Sequence, residues 1–173
     1  MREIKSNINR QSETFKDNYG KMLQKVAELE AILKKSTWQG EEKYILRLRN
    51  EGKMLARERV EHILDKGSPY LELLPLAGYG RKTFALGGTM TAGIGLINRK
   101  LCMIIANIPT IKGGAIDEVT LQKGIRLGEI AEENKLPAIY LVESAGADLP
   151  EQAKIFNYGG AIFRQITKRS QEG

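Results

Sequence analysis

The residue types that carry chemistry in most enzymes are sparse in this chain. It has one histidine, His62, and one cysteine, Cys102, so it can assemble neither a Cys-His nucleophile pair nor a zinc site built on cysteines, and no metal site is expected. It contains no Gly-x-Ser-x-Gly elbow, no His-Glu-x-x-His and no phosphate loop ending in Gly-Lys-Ser/Thr, and the Gly-Tyr-Gly around Tyr79 lacks the spacing of a dinucleotide-binding turn. Two turns of very small residues remain, Lys112-Gly113-Gly114 and Ser144-Ala145-Gly146-Ala147. Each follows an apolar run that reads as a strand, and α/β folds bind ligands at the carboxyl ends of their strands. A small-residue turn that opens a helix there points backbone N–H groups into a cleft, the geometry that holds an oxyanion. The plain alternative is a pair of ordinary tight turns. Gly87-Gly88, Gly93 and Gly95 fall in or beside strands, where glycine marks a bulge or a close backbone approach. His62, between Glu61 and Ile63, reads as structural, and Cys102 as a packing residue of an apolar strand.

The elements that must position these turns follow from periodicity. Phe15, Tyr19, Met22, Val26, Leu29 and Leu33 recur every three or four residues and predict a helix with one apolar face. Ser36 with Gln39 reads as the cap of a second helix carrying Tyr44, Ile45, Leu48, Leu55, Ile63 and Leu64, and Asp65-Lys66-Gly67-Ser68-Pro69 ends it. Residues 1–66 are therefore expected to form a helical hairpin, a packing or dimerisation arm. Beyond Pro69 the texture changes to short apolar runs. Leu71 to Leu74, Thr89 to Ile97 and Lys100 to Asn107 predict strands, the last two joined in a hairpin at Asn98-Arg99. Thr120 to Asn134 predicts a helix, Ala138 to Val142 a buried parallel strand, and Ile162 to Ser170 a last helix. Strand, helix, strand, small turn, helix is the order of an α/β layer fold with right-handed crossovers.

Composition narrows the class. The chain has 173 residues, 42% apolar and 28% charged, which is an ordinary globular mixture. Its longest apolar run, Leu101 to Ala106, is far below the ~20 residues of a transmembrane helix, and Met1 to Lys5 leads into a polar stretch without a secretory apolar region. A cytoplasmic location is expected, or the mitochondrial matrix in a eukaryote. The net charge of +6 sits mostly in the first third, where signs alternate as on solvated helix faces, which argues against nucleic acid as partner.

The sequence resembles a known family over residue 45 to the end. Glu51-Gly52-Lys53-Met54-Leu55-Ala56-Arg57-Glu58-Arg59-Val60, then Ile63-Leu64-Asp65 and Gly67-Ser68-Pro69-Tyr70-Leu71-Glu72-Leu73, is similar to the opening signature of the carboxyltransferase (β) subunits of biotin-dependent acyl-CoA carboxylases of the propionyl-CoA and methylcrotonyl-CoA group. Gly93-Ile94-Gly95, Met103 to Asn107, Lys112-Gly113-Gly114, Glu129 to Pro137 and Tyr140 to Ala147 follow as family blocks in family order.

The resemblance implies an α/β, crotonase-like β-β-α superhelix, incomplete here and preceded by the helical hairpin, with residues 67–173 forming a truncated acyl-CoA-binding domain. A second, homologous domain would hold carboxybiotin, delivered by a separate carrier. The chemistry it implies is transfer of CO2 from carboxybiotin to the α- or γ-carbon of an acyl-CoA through an enolate held by backbone amides. The family's Ser-Gly-Gly-Ala turn falls on Ser144, Ala145, Gly146 and Ala147, which makes the amides of Ala145 and Gly146 the oxyanion donors, with Ser144, Ala147, Lys112, Gly113 and Gly114 on the acyl-CoA side. Alanine replaces the first of the two glycines, and its amide donor survives the change. Implied partners are an acyl-CoA, a biotin carboxylase with its biotin carrier, and further copies of the chain.

The chain stops at Ser170 to Gly173, roughly a third of the way through a family subunit, with Gly173 placed like the glycine that follows a helix, so alone it is expected to be inactive. The resemblance leaves two alternatives standing: a decarboxylase subunit of the same family, and a non-catalytic CoA-binding or assembly fragment. With one cysteine the chain lacks the four-cysteine zinc ribbon common in bacterial acetyl-CoA carboxylase β chains, which favours the propionyl or methylcrotonyl branch.

Overall fold

Asn98 and Arg99 both adopt positive φ, +49° and +64°, the turn that matches the twist of an antiparallel hairpin, and the Asp65 carboxylate accepts both of their amides at 2.8 and 2.7 Å. They join the two longest strands of a computed structural model that describes residues 6–172. The readings made of Met1 to Lys5 and of Gly173 lie outside these residues.

The chain divides into two compact units, Met1–Thr37 and Trp38–Gly173. Helix α1 (Glu13–Ser36) accounts for most of the described part of the first; Ser12 caps it, its hydroxyl accepting from the Phe15 amide at 3.2 Å. Tyr19, Met22, Val26 and Leu29 of its apolar stripe are exposed.

In the second unit the single helix expected up to Leu64 is two, α2 (Glu42–Asn50) and α3 (Ala56–Ile63). Gly52, at φ +71°, closes α2 by donating to the Arg49 carbonyl at 2.9 Å, and Glu58 reaches back to the Leu55 amide at 2.9 Å to open α3. The apolar spacing from Leu48 to Leu55 suits a continuous helix, and the stop and start signals between them override it. Ser36 caps no second helix: it is the last residue of α1, its hydroxyl donating to the Leu33 carbonyl, and α2 is preceded by Glu41.

The sheet has the order β1-β2-β3-β4: β1 (Tyr70–Glu72), β2 (Met90–Ile97) and β3 (Lys100–Asn107) run antiparallel, and β4 (Ala138–Leu141) lies parallel to β3. A parallel neighbour requires a crossover, supplied by α4 (Glu118–Glu133), whose first turn is capped by Asp117 accepting from the Thr120 amide at 2.8 Å. Alternation along β3 feeds two cores. Cys102, Ile104 and Ala106 pack with Ala56 and Val60 of α3, whereas Met103 and Ile105 pack with Leu127 and Ala131 of α4. The last helix, α5 (Gln152–Glu172), starts ten residues before the expected Ile162 and runs through Gly159-Gly160, a pair of poor helix formers. It packs on α4, with Gln165 donating to the Ile125 carbonyl at 3.3 Å.

Candidate functional site

Because β3 and β4 are parallel neighbours, the turns at their carboxyl ends emerge side by side. Lys112–Gly114 forms a short 3-10 turn after β3, and the irregular segment after β4 leads to Ala147, which bridges Ile116. The two turns are bonded to each other. The Ala145 amide donates to the Gly113 carbonyl at 2.9 Å, the Ser144 hydroxyl to the Gly114 carbonyl at 2.6 Å, and the Ile116 amide to the Gly146 carbonyl at 2.8 Å. Gly114 is irreplaceable on two grounds: its φ is +68°, and a Cβ there would lie 2.5 Å from the Glu143 carbonyl oxygen. Gly146 also has positive φ, +94°, but the space a Cβ would enter is open.

All seven residues singled out in sequence thus gather at one place, in an arrangement that differs from the expected one. The Ser144 turn opens no helix, since a bridge and a 3-10 turn at Leu149–Glu151 precede α5. Both proposed donors already have internal acceptors, the Gly113 carbonyl for Ala145 and, at 3.1 Å, the Ser144 hydroxyl for Gly146. The amides of Gly113 and Ala147 find no acceptor among the described residues. Ala145, Gly146 and Ala147 are exposed, Gly114 is buried. Lys112, also at positive φ (+48°), pairs with Asp148 at 3.6 Å and stands 6.0 Å from the Phe84 ring. One recess of about 630 Å3 opens beside it among Trp38, Tyr44, Phe84 and Gly113, and a second of about 410 Å3 lies toward Asp148 and Glu151.

Several supporting residues escaped the sequence reading. Glu143, directly before the turn, is held by Lys53 at 3.1 Å and Arg59 at 3.3 Å, and its amide faces the Asn107 side chain at 3.4 Å. Lys123 is almost wholly buried, and its ammonium donates to the carbonyls of Gly87 at 3.0 Å and Met90 at 2.9 Å. Burial pushes that amine down to about 8, against the pull of Glu72, with Arg57 adding to the depression. Thr120 receives the Thr89 amide at 3.0 Å, so one face of α4 fixes the end of the loop that carries Phe84. The signal for Lys123 was available: Thr120, Lys123 and Leu127 share a helical face at spacings of three and four. His62 is exposed and Cys102 buried, both away from the turns.

The parallel pair β3 and β4 thus delivers two bonded glycine turns to a common edge of an α/β unit of the crotonase-like fold. The family described as "Carboxyl transferase domain" matches residues 47–173, and the chain belongs to it. It is 42% identical over 98% of its length to the "Probable biotin-dependent acyl-coenzyme A carboxylase beta2 subunit" of Mycobacterium tuberculosis, of which it covers 32%, and 40% identical over 97% of its length to the "Probable methylcrotonoyl-CoA carboxylase beta chain, mitochondrial" of Drosophila melanogaster, of which it covers 30%. Among solved structures it superimposes on the β subunit of P. aeruginosa geranyl-CoA carboxylase with a TM-score of 0.78 at 38% identity, over 94% of this chain and 31% of that one. The chain therefore spans about a third of the length of the relatives it matches. Among the described residues no helix is long and apolar enough to cross a membrane.

Proposed function

We propose that this chain is the acyl-CoA-binding, amino-terminal part of a carboxyltransferase subunit of a biotin-dependent acyl-CoA carboxylase, with residues 67–173 belonging to the acyl-CoA domain and residues 1–66, whose α3 packs into the same core as β3, leading into it. The observation that carries the reading is the bonded pair of turns at the ends of β3 and β4, with small, exposed residues at Ala145, Gly146 and Ala147.

In this reading the thioester oxygen is held by the amides of Ala145 and Gly146 as negative charge develops on it. Gly146 is the cheaper donor to recruit. It exchanges a 3.1 Å bond to a neighbouring hydroxyl that keeps its own acceptor, whereas Ala145 must release the Gly113 carbonyl from the joint between the turns. Lys112, Gly113 and Gly114 line the acyl-CoA side together with Ser144 and Ala147. Carboxybiotin, when bound, supplies the carboxyl group. The Ala145–Gly146–Ala147 turn offers exposed backbone and methyl groups rather than a walled recess for the biotin ring, so biotin is assigned to the second domain. The partners in this reading are a biotin carboxylase with its carrier, and further copies of the subunit.

The test is carboxyl transfer by the full-length subunit carrying this sequence with Gly146→Pro, which removes one amide donor and, since proline cannot adopt the +94° φ of Gly146, distorts the turn. Turnover is expected to fall roughly 10²-fold or more with the fold retained. Unchanged turnover would remove the oxyanion assignment.

A further inference from the structure

The turn that carries the proposed donors is tied to a helix far from it in sequence. Ile139 and Leu141 of β4 pack on the core that holds Ala56 and Val60 of α3, and Glu143, two residues beyond Leu141, meets the same helix with its carboxylate. One of its oxygens lies 3.3 Å from the Arg59 guanidinium and the other 3.1 Å from the Lys53 ammonium, so each takes one cation. The pair with Arg59 is sheltered. Only 27% of the Glu143 side chain and 19% of the Arg59 side chain are exposed, so water and salt screen them less than they screen solvated surface charges. The helix is a firm anchor for Arg59: Ala56 and Val60 are buried, the Gln39 side chain accepts the Arg57 amide at 3.0 Å, and Glu58 accepts the Leu55 amide at 2.9 Å. Lys53 adds a looser hold, being half exposed and shared with Glu51 at 3.0 Å.

The main chain of Glu143 is gripped as well. Its amide faces the Asn107 side chain at 3.4 Å, and its carbonyl oxygen rests so close to Gly114 that a Cβ there would come within 2.5 Å. The next two residues, Ser144 and Ala145, bond to the carbonyls of Gly114 and Gly113. A carboxylate held at its tip and a backbone held beside it leave the first residue of the turn little freedom, and the amides of Ala145 and Gly146 follow directly. We propose that Arg59 and Lys53, acting through Glu143, are positioning residues that fix where the Ala145 and Gly146 amides stand as negative charge develops on the thioester oxygen. The inference rests on the acyl-CoA reading for the reaction. It adds that side chains from residues 1–66 set the geometry of donors carried by residues 67–173.

The full-length subunit carrying this sequence is assayed for carboxyl transfer to propionyl-CoA and to methylcrotonyl-CoA as wild type, Arg59→Met, Glu143→Gln, the double variant and Arg59→Lys. Each is also followed by hydrogen–deuterium exchange. Arg59→Met keeps the packed stem and removes only the guanidinium. Each of the first two single variants is expected to lower kcat roughly tenfold with KM unchanged, because a displaced donor is missed most in the transition state. The double variant is expected to lose no more than either single one, and Arg59→Lys to recover most of kcat. Exchange is expected to rise in the peptide spanning Glu143 to Ala147 and to stay as in wild type across β2 and β3. Wild-type kcat in both variants, additive losses in the double variant, or exchange raised through the whole sheet, which is ordinary destabilisation, would each overturn the proposal. A wild-type subunit that carboxylates neither acyl-CoA contradicts the functional reading instead, and exchange then decides alone: a rise confined to the turn upholds the hold of Arg59 on Glu143, and unaltered exchange overturns it.

Discussion

Ser144 and Gly114 stand 30 residues apart in sequence and are joined by a 2.6 Å hydrogen bond from the serine hydroxyl to the glycine carbonyl. That bond, with the one from the Ala145 amide to the Gly113 carbonyl, turns two separate loops into a single edge at the ends of β3 and β4. Ser144→Ala removes the hydroxyl donor and also the acceptor of the Gly146 amide. A loss of about 1 kcal/mol in denaturant unfolding is expected, as for an ordinary net hydrogen bond. Unaltered stability would mean that the turns are held together by backbone bonds alone.

The two glycines of the edge should respond differently to alanine. Gly146→Ala imposes only the strain of positive φ, about 1 kcal/mol, since the added methyl enters open space. Gly114→Ala meets the same strain and a carbonyl oxygen 2.5 Å away, so its cost is expected to exceed that of Gly146→Ala by roughly 1–3 kcal/mol. Equal melting temperatures for the two variants would contradict the close approach of the turns.

Lys123 predicts a pH signature. Its amine is held at about 8 in the folded chain against an ordinary 10.5, so the unfolded chain binds more protons between these values. Stability contributed by this group is therefore full above 10.5 and is lost as pH falls through 8, a rise of roughly 2 kcal/mol between pH 7 and 9.5. Tyr70 acts the other way at higher pH, because burial pushes its hydroxyl up to about 12 and the stability it contributes is lost only above 10. Urea unfolding of wild type and Lys123→Met from pH 7 to 9.5 isolates the lysine: the difference between the two curves should change with pH in the wild type's favour, and parallel curves would show that folding does not lower the pKa of the Lys123 amine.

The fold leaves apolar surface uncovered. Phe156, Phe163 and Ile166 of α5 and Tyr140 of β4 are more than half exposed, as are Tyr19, Met22 and Leu23 of α1, and β4 is the last strand of its sheet. Each such side chain contributes roughly 1.5–3 kcal/mol on full burial, and an open strand edge invites pairing. Sedimentation velocity at micromolar concentration is expected to show association. A sharp monomer boundary independent of concentration would contradict this.

What the sequence made legible was local. The β2–β3 hairpin could be read from two apolar runs flanking Asn98-Arg99, and β4 from its apolar run before the small-residue turn. Leu48 and Leu55 keep a helical period across Gly52 and so predict one helix where α2 and α3 are two, and α5 begins ten residues before the expected Ile162 because it tolerates Gly159-Gly160. Long-range bonding could not be read at all. Nothing near Ala145 announces that its amide will meet Gly113, or near Trp38 that it will share a recess with Phe84. The two turns were legible as small residues after strands, whereas the occupancy of their amides depends on the parallel pairing of β3 with β4.

Calorimetric titration of the chain with an acyl-CoA and, separately, with free biotin tests most directly whether this chain is the proposed acyl-CoA half of the subunit. Saturable binding of the acyl-CoA, weakened by Gly146→Pro, and no heat of binding with biotin are expected; binding of biotin in preference to acyl-CoA would contradict the proposal.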